Sequence, residues 1–402
     1  MEQPKKIVLA YSGGLDTSVI LPWLKERYPG VKLVAFAAEL GQGDELKNIE
    51  DKAYKSGADE VVVKDLRHEF AEQFCFPMLR AHAIYENDYL LGTSIARPII
   101  AKHQVEVARA TGADAVGHGA TGKGNDQVRF ELTYMALAPD LKIIAPWKDP
   151  SFELRDRESA IDYANKKGVP VEQSKKKIYS RDRNLWHISH EGADLESPAN
   201  EPKDELWMIS VPVSQAPNDP AYVTIDFEAG NPVALNGQKM PGEALIASLN
   251  SLAGKHAVGQ TQLAENRLVG MKSRGAYETP GGTTLYEAHK ALEQITIERD
   301  TFHYKQQVAL KYAGLVYNGQ WFHPLREALQ AFVDYTQIAV TGQVKVKLFK
   351  GRATAAGVSS PYSLYDPQLA SFSMEGYDVT AARGFIDLFG LPMKVASQAR
   401  KW

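Results

Sequence analysis

The run Ser12-Gly13-Gly14-Leu15-Asp16-Thr17-Ser18 follows directly on the apolar tetrapeptide Ile7-Val8-Leu9-Ala10, and its residue types suit the binding of an anion. Adjacent glycines let a backbone turn through positive φ and approach a ligand with no Cβ in the way. Ser12, Thr17 and Ser18 add hydroxyl donors, and a helix start adds unpaired N–H groups and the positive end of a dipole. The spacing predicts a strand, a glycine turn and a helix whose N-terminus holds a phosphate. A turn that only joined a strand to a helix would have no use for three hydroxyls around two glycines. No Lys closes the motif, so it is not the G-x-x-x-x-G-K-[ST] mononucleotide loop.

A second glycine cluster runs Gly117-His118-Gly119-Ala120-Thr121-Gly122-Lys123-Gly124-Asn125-Asp126. It matches both G-x-G-x-x-G and G-x-x-x-x-G-K on paper, and both matches fail on chemistry. Gly124 replaces the Ser or Thr that would hold Mg²⁺ in a P-loop, and a dinucleotide fingerprint belongs in the first βα unit, about four strands earlier. The better reading is a second loop at the same sheet edge, facing the first. There Thr121, Asn125, Asp126 and Arg129 supply polar recognition, the last three near the first turn of the next helix. A capped helix start with an Asp–Arg pair would explain the polar residues but not four glycines in eight positions.

The elements that must position these loops are legible as short apolar runs at Ile7–Ala10, Leu33–Ala37, Val61–Val63, Ala113–Val116 and Ile143–Ala145. Amphipathic stretches such as Glu45–Lys55, Ile99–Ala110 and Arg155–Lys166 fill the intervals. Such alternation implies a doubly wound α/β domain, a parallel sheet covered on both faces with ligands at the carboxyl ends of its strands. Past about residue 170 the alternation stops, and 180–204 reads as loop. Strands are expected at Leu206–Val213 and Tyr222–Glu228, a hairpin at Asn236-Gly237, and a strand pair at Val344–Phe349 and Arg352–Gly357. Helices are expected at Glu243–Leu252, Leu285–Glu298 and Leu325–Tyr335. This is an α+β second domain. The organisation expected is therefore 1–170 as the nucleotide domain, 171–361 as the α+β domain, and 362–402 as a tail with a helix at Val379–Leu388. So long a tail has little core of its own and is expected to pack on another subunit.

With 402 residues, 44% hydrophobic and 24% charged, the chain has room for two or three cores. A net charge of −3 offers no basic excess for a nucleic-acid backbone, and Lys175-Lys176-Lys177 reads as a solvated face. The single cysteine, Cys75, excludes an internal disulfide and a thiolate metal cluster; flanked by Phe74 and Phe76, it reads as core, and a reducing compartment is implied. No run approaches the ~18 apolar residues of a membrane span. A cytoplasmic protein is expected.

The S-G-G-x-D-[ST]-S pattern resembles the pyrophosphate loop of enzymes that cleave ATP to AMP and pyrophosphate. The stretches Ala10–Ser18, Gly92–Pro98 and Gly117–Arg129, with Glu265-Asn266-Arg267, Lys272–Gly275 and Tyr277–Gly282, resemble the argininosuccinate synthase family nearly end to end and in order. Glu39 stands where that family commonly has Asp. The resemblance implies a ligase that joins citrulline and aspartate through a citrulline adenylate, releases AMP and pyrophosphate, requires Mg²⁺ with ATP, and forms a homotetramer. It places ATP on Ala10, Tyr11, Ser12, Gly13, Gly14, Leu15, Asp16, Thr17, Ser18, Ala38 and Gly119. Citrulline falls to Tyr89, Ser94, Asn125, Arg129, Ser180, Ser189, Glu265 and Tyr277, and aspartate to Thr121, Asn125 and Asp126. Arg129 suits a carboxylate and Glu265 an ammonium. Arg97, close to Ser94, is a candidate for the aspartate side-chain carboxylate or for a structural ion pair. Asp16 and Asp126 are both candidates to take the amine proton, and neither is assigned. A tRNA-thiolating relative would want a reactive cysteine and a basic surface, and a glutamine amidotransferase a free nucleophile. A nucleotide sensor would need no ureido pocket.

Overall fold

A computed structural model describes residues 3–122, 124–154, 156–170, 179–371 and 378–400. Lys123, Arg155 and Lys175–Lys177 lie outside these residues. Five strands form the first sheet: β1 (Lys6–Ala10), β2 (Lys32–Glu39), β3 (Glu60–Asp65), β4 (Ala115–Gly117) and β5 (Lys142–Ile144). All pairings are parallel, in the order β3-β2-β1-β4-β5. Alternation along the strands divides the side chains between two cores. Ile7, Leu9, Leu33, Ala35 and Ala37 join the helices Leu15–Arg27 and Arg157–Lys167 on one face. Val8, Ala10, Val34, Phe36 and Ala38 join the helix Gly92–Thr111 and most of the second half of the chain on the other. The sheet is thus buried on both faces, as its near-continuous apolar strands require.

The strand order reverses between β1 and β4, so a crevice opens at their carboxyl ends. Gln104 ties these two strands from below. Its Nε2 donates to Val8 O at 2.6 Å and Gly117 O at 2.7 Å, and its Oε1 accepts from the Tyr134 hydroxyl at 2.6 Å.

Two antiparallel sheets follow. One contains β6 (Ser180–Arg183), β7 (Ile188–Glu191), β11 (Gln260–Asn266) and β12 (Lys272–Glu278), in the order β11-β12-β7-β6. The other contains β8 (Ala221–Glu228), β9 (Asn231–Leu235), β10 (Gln238–Lys239), β13 (Gly342–Phe349) and β14 (Arg352–Ser359), in the order β10-β9-β8-β13-β14. The Asn236-Gly237 turn joins β9 to β10 with both residues at positive φ (52° and 78°), as a tight hairpin demands.

Several expectations fail for physical reasons. Ser180 and Ser189 lie on strands, not in loop; polar sequences such as Ser180–Arg183 pair because the neighbouring strand supplies backbone partners. Leu206–Val213 is not a strand. Its N–H groups at Met208, Ile209 and Ser210 donate to the buried carboxylate of Glu278 at 2.7–2.9 Å, which replaces a sheet partner. Asn48, left-handed at φ 58°, splits the Glu45–Lys55 stretch into a 3-10 turn (Gly43–Leu46) and a short helix (Ile49–Lys55). The tail carries two helices, Ala381–Phe389 and Leu391–Arg400, rather than one. Cys75 is fully buried.

Candidate functional site

Gly13, at φ 72°, turns the chain from β1 into the helix Leu15–Arg27. Gly14 is the N-cap and no side chain caps it, so the positive end of the helix stays open to an anion. Ser12 Oγ and Thr17 Oγ1 lie 3.1 Å apart at the rim of the turn, and Thr17 donates to Gly14 O at 3.3 Å. Ser18 behaves differently. Its hydroxyl is buried and bonds the Tyr11 hydroxyl at 3.0 Å, bracing the turn from beneath.

The second loop stands against the first. A Cβ on Gly119 would lie 2.9 Å from Thr17 Cγ2 and 3.2 Å from Ile20 Cδ1, so only glycine permits this approach. Gln127 shapes the loop from the helix Asp126–Leu137 by donating to Gly122 O at 2.7 Å and Gly124 O at 3.1 Å. His118 Nδ1 accepts from the Ala120 N–H at 3.2 Å, so its Nε2 carries the proton offered to Glu131 at 3.0 Å.

Asn125, Asp126 and Arg129 do share the first turn of that helix, and a web of ion pairs holds them. Arg97 Nε and Nη2 donate to Asp126 Oδ2 at 2.9 and 2.8 Å, and Arg129 Nη1 donates to Asp126 Oδ1 at 2.9 Å. Arg97 also meets Asp182 on β6 at 3.1 Å. Burial opposes the charge on Asp126, but the two guanidinium groups outweigh it and hold the carboxyl down to about 2. Of the two roles open to Arg97, the structure fills the ion pair.

A buried pocket lies beside this web. The Arg129 guanidinium stacks 5.0 Å above the Tyr317 ring, and its Nε donates to Tyr317 O at 3.0 Å. Tyr317 stacks on Tyr85 with centroids 3.6 Å apart, and Tyr89 packs on Tyr277 at 4.7 Å. Pairing registers place Asp182 opposite Ser189, Ser189 opposite Tyr277, and Glu265 opposite Ser273, so by strand alternation these side chains occupy one face of the β11-β12-β7-β6 sheet. Ser180 lies on the same face, opposite Glu191, and is exposed at the edge strand.

Four buried atoms at this site have no hydrogen-bond partner among the described residues: Ser94 Oγ, Asp182 Oδ2, His187 Nδ1 and Glu265 Oε2, of which Asp182 Oδ2 lies 3.1 Å from the Arg97 guanidinium. Burial pushes the Glu265 carboxyl up to about 7, against the pull of Arg129 and with Glu191 adding to the rise. Buried polar groups are nearly always satisfied, so an acceptor and a hydroxyl left open beside a guanidinium mark a place for a ligand. A cation-seeking carboxylate, an anion-seeking arginine, an amide and several hydroxyls suit a small zwitterion with a polar side chain.

Tyr317, Tyr85, Asp182 and His187 belong to the site without having been singled out from sequence. No local sequence signal ties His187 to the site; a Cβ on Gly92 would come within 2.2 Å of its ring, so the imidazole lies directly on the helix start. Its Nε2 lies 3.0 Å from Thr93 Oγ1, and burial pushes its pKa down to about 4.

A family model described as the arginosuccinate synthase N-terminal HUP domain matches residues 6–170, and one described as the C-terminal domain matches residues 179–396. A protein of Carboxydothermus hydrogenoformans named argininosuccinate synthase is 58% identical over 398 residues, covering 99% of this chain and 98% of its own. One of the same name from Pelotomaculum thermopropionicum is 58% identical over 397 residues, covering 98% of each chain. Another from Clostridium botulinum is 54% identical over 400 residues, covering 99% of this chain and 98% of its own. With both family models and relatives this similar spanning the strands, loops and pocket described above, the chain belongs to the argininosuccinate synthase family.

Proposed function

We propose that the chain is an ATP-dependent ligase that condenses citrulline with aspartate to argininosuccinate and releases AMP and pyrophosphate, a step of arginine biosynthesis. The observation that carries this reading is the pair of unsatisfied buried atoms, Ser94 Oγ and Glu265 Oε2, beside Arg129 in a chain of this family. Citrulline has a carboxylate, an ammonium and a neutral ureido group. Arg129 takes the first, Glu265 the second, and hydroxyls and amides from Tyr89, Ser94, Asn125, Ser180, Ser189 and Tyr277 serve the rest. Thr121, Asn125 and Asp126 serve aspartate. Since Asp126 already carries Arg97 and Arg129, its carboxylate meets the aspartate ammonium as an ion fixed in place.

The ureido carbon is resonance-stabilised and a poor electrophile. Attack by the ureido oxygen on the α-phosphorus of ATP breaks the bond to pyrophosphate and converts that oxygen into an AMP leaving group. The aspartate amine, deprotonated to its neutral form, then attacks the carbon. The C–O bond to AMP breaks with its electron pair leaving on AMP, and a base or a phosphate oxygen accepts the amine proton. The glycine turn from Ala10 to Ser18, with Ala38 and Gly119, holds the nucleotide, and its helix dipole meets the charge that grows on the pyrophosphate. Among the described residues no group of three or more His, Cys, Asp or Glu could hold a metal ion. Ser12, Asp16 and Thr17 instead suit a Mg²⁺ that arrives on the phosphates. The ion neutralises phosphate charge when bound.

No helix among the described residues is long and apolar enough to cross a membrane. We place the protein in the cytoplasm as a homotetramer. Its tail helices leave Phe385, Ile386, Leu388 and Phe389 between 64% and 75% exposed, an apolar face that a second subunit would cover. Release of AMP and pyrophosphate from ATP–Mg²⁺ tests the activity, with citrulline and aspartate supplied singly and together. Sustained release with both, alongside argininosuccinate, is expected. Release with another acceptor would overturn the substrates.

A further inference from the structure

A triphosphate would bring several negative charges to a turn that has no lysine of its own. The short helix Ile49–Lys55 packs against that turn from the far side of β2. Left-handed Asn48 aims Ile49 inward, and a Cβ on Gly13 would lie 3.6 Å from Ile49 Cδ1 and 4.0 Å from Lys52 Cδ. Ile49 is buried and Lys52 half-buried. Three residues apart on a helix, they share a face, so the anchor that fixes Ile49 on the turn also fixes the stem of Lys52. The Lys52 methylenes therefore lie beside the glycine, one carbon short of the ammonium.

Lys25 and Lys32 pair with Asp59, and Lys47 with Asp44. Lys52 Nζ makes no hydrogen bond or ion pair with a described residue. A cation held at a phosphate-type turn and left without a carboxylate is placed to meet an external anion.

We propose that Lys52 is a cation of the phosphate site, its Nζ binding the β- and γ-phosphates of ATP and then the pyrophosphate product. The proposal rests on the reading of the turn as an ATP-cleaving site. When the ureido oxygen bonds to the α-phosphorus, the electron pair of the broken bond goes to the β-phosphate oxygen. Lys52 stabilises that oxygen as its charge grows.

The test is Lys52→Met, with Lys52→Arg and the exposed Lys55→Met beside it. Loss of one charge-assisted hydrogen bond predicts a rise of about 10- to 100-fold in the ATP KM and in the pyrophosphate inhibition constant. The AMP inhibition constant, which reports the nucleotide without those phosphates, is expected to stay put. Lys52→Arg should recover most of the loss, and Lys55→Met should match the unsubstituted protein. Unchanged pyrophosphate inhibition in Lys52→Met would overturn the inference, as would an equal weakening of AMP, which reports a displaced turn. Calorimetric binding of inorganic pyrophosphate to the full chain tests Lys52 without turnover. If the protein released no AMP with citrulline and aspartate yet lost pyrophosphate binding on Lys52→Met, the substrate reading would fail and Lys52 would stand.

Discussion

Asn125 Oδ1 accepts the backbone N–H of Leu268 at 2.9 Å, across 143 residues of sequence. The same amide donates from Nδ2 to the Tyr317 hydroxyl at 2.8 Å. One side chain at the start of the helix Asp126–Leu137 thus fastens the second glycine loop to the β11–β12 hairpin and to the aromatic wall of the pocket. Asn125→Ala should lose both bonds together. Steady-state kinetics should show kcat/KM for citrulline and aspartate falling by about 10-fold or more, and thermal unfolding should come earlier by about 1–2 kcal/mol of stability.

The proposed contact between Glu265 and the citrulline ammonium predicts that citrulline binding depends on pH. Burial sets its carboxyl near 7, and an ammonium binds the ionised form. The citrulline KM should therefore fall as pH rises from about 6 to about 8, with the change centred where Glu265 ionises. Glu265→Gln should raise the KM and flatten the profile. A profile unchanged by that substitution would separate Glu265 from the ammonium.

Asp126 contributes stability that depends on pH in a more acidic range. Its carboxyl, ordinarily near 3.8, is held at about 2 by Arg97 and Arg129 once burial has been outweighed. A depressed folded pKa gives stability that is present above the unfolded value and lost as pH falls through the folded one. The difference in urea unfolding free energy between the unsubstituted chain and Asp126→Asn should shrink steadily between about pH 4 and pH 2. A difference constant with pH would rule out the ion pairs as its source.

Glu278 is a structural hub rather than a ligand residue. It accepts from His190 at 2.8 Å, from three consecutive backbone N–H groups and from Ser210 Oγ at 2.7 Å, with no exposure. Arg181 Nε donates to His190 Nδ1 at 3.1 Å, which leaves the ring proton on Nε2 for Glu278. Glu278→Gln turns an amide N–H₂ toward these donors and should cost about 3 kcal/mol in urea denaturation.

The tail carries the oligomer prediction. Truncation after residue 361 should convert a tetramer to smaller species in sedimentation. A truncated chain that stays tetrameric would remove the tail from the interface.

The sequence by itself determined the parallel sheet, the phosphate-type turn and the second glycine loop. These depend on short-range rules: apolar runs of strand length, glycines where a backbone must pass close, and polar residues within one helical turn. It also carried the family in its motifs. The tertiary structure decided how Asp182, Ser189, Tyr277 and Glu265 share a face. Their strands are polar and irregular in pattern; β6–β7 and β11–β12 pair locally, and the long-range pairing of β7 with β12, Ser189 opposite Tyr277, brings the four together. Likewise, residues 206–213 lose their strand because a carboxylate at 278 takes their N–H groups, a contact no local window contains. Arg97 was visible as a candidate, but only the arrival of Asp182 beside Asp126 fixed it as an ion pair. Local spacing specifies what a residue is able to do; long-range packing, by burying or satisfying it, decides which of those things it does.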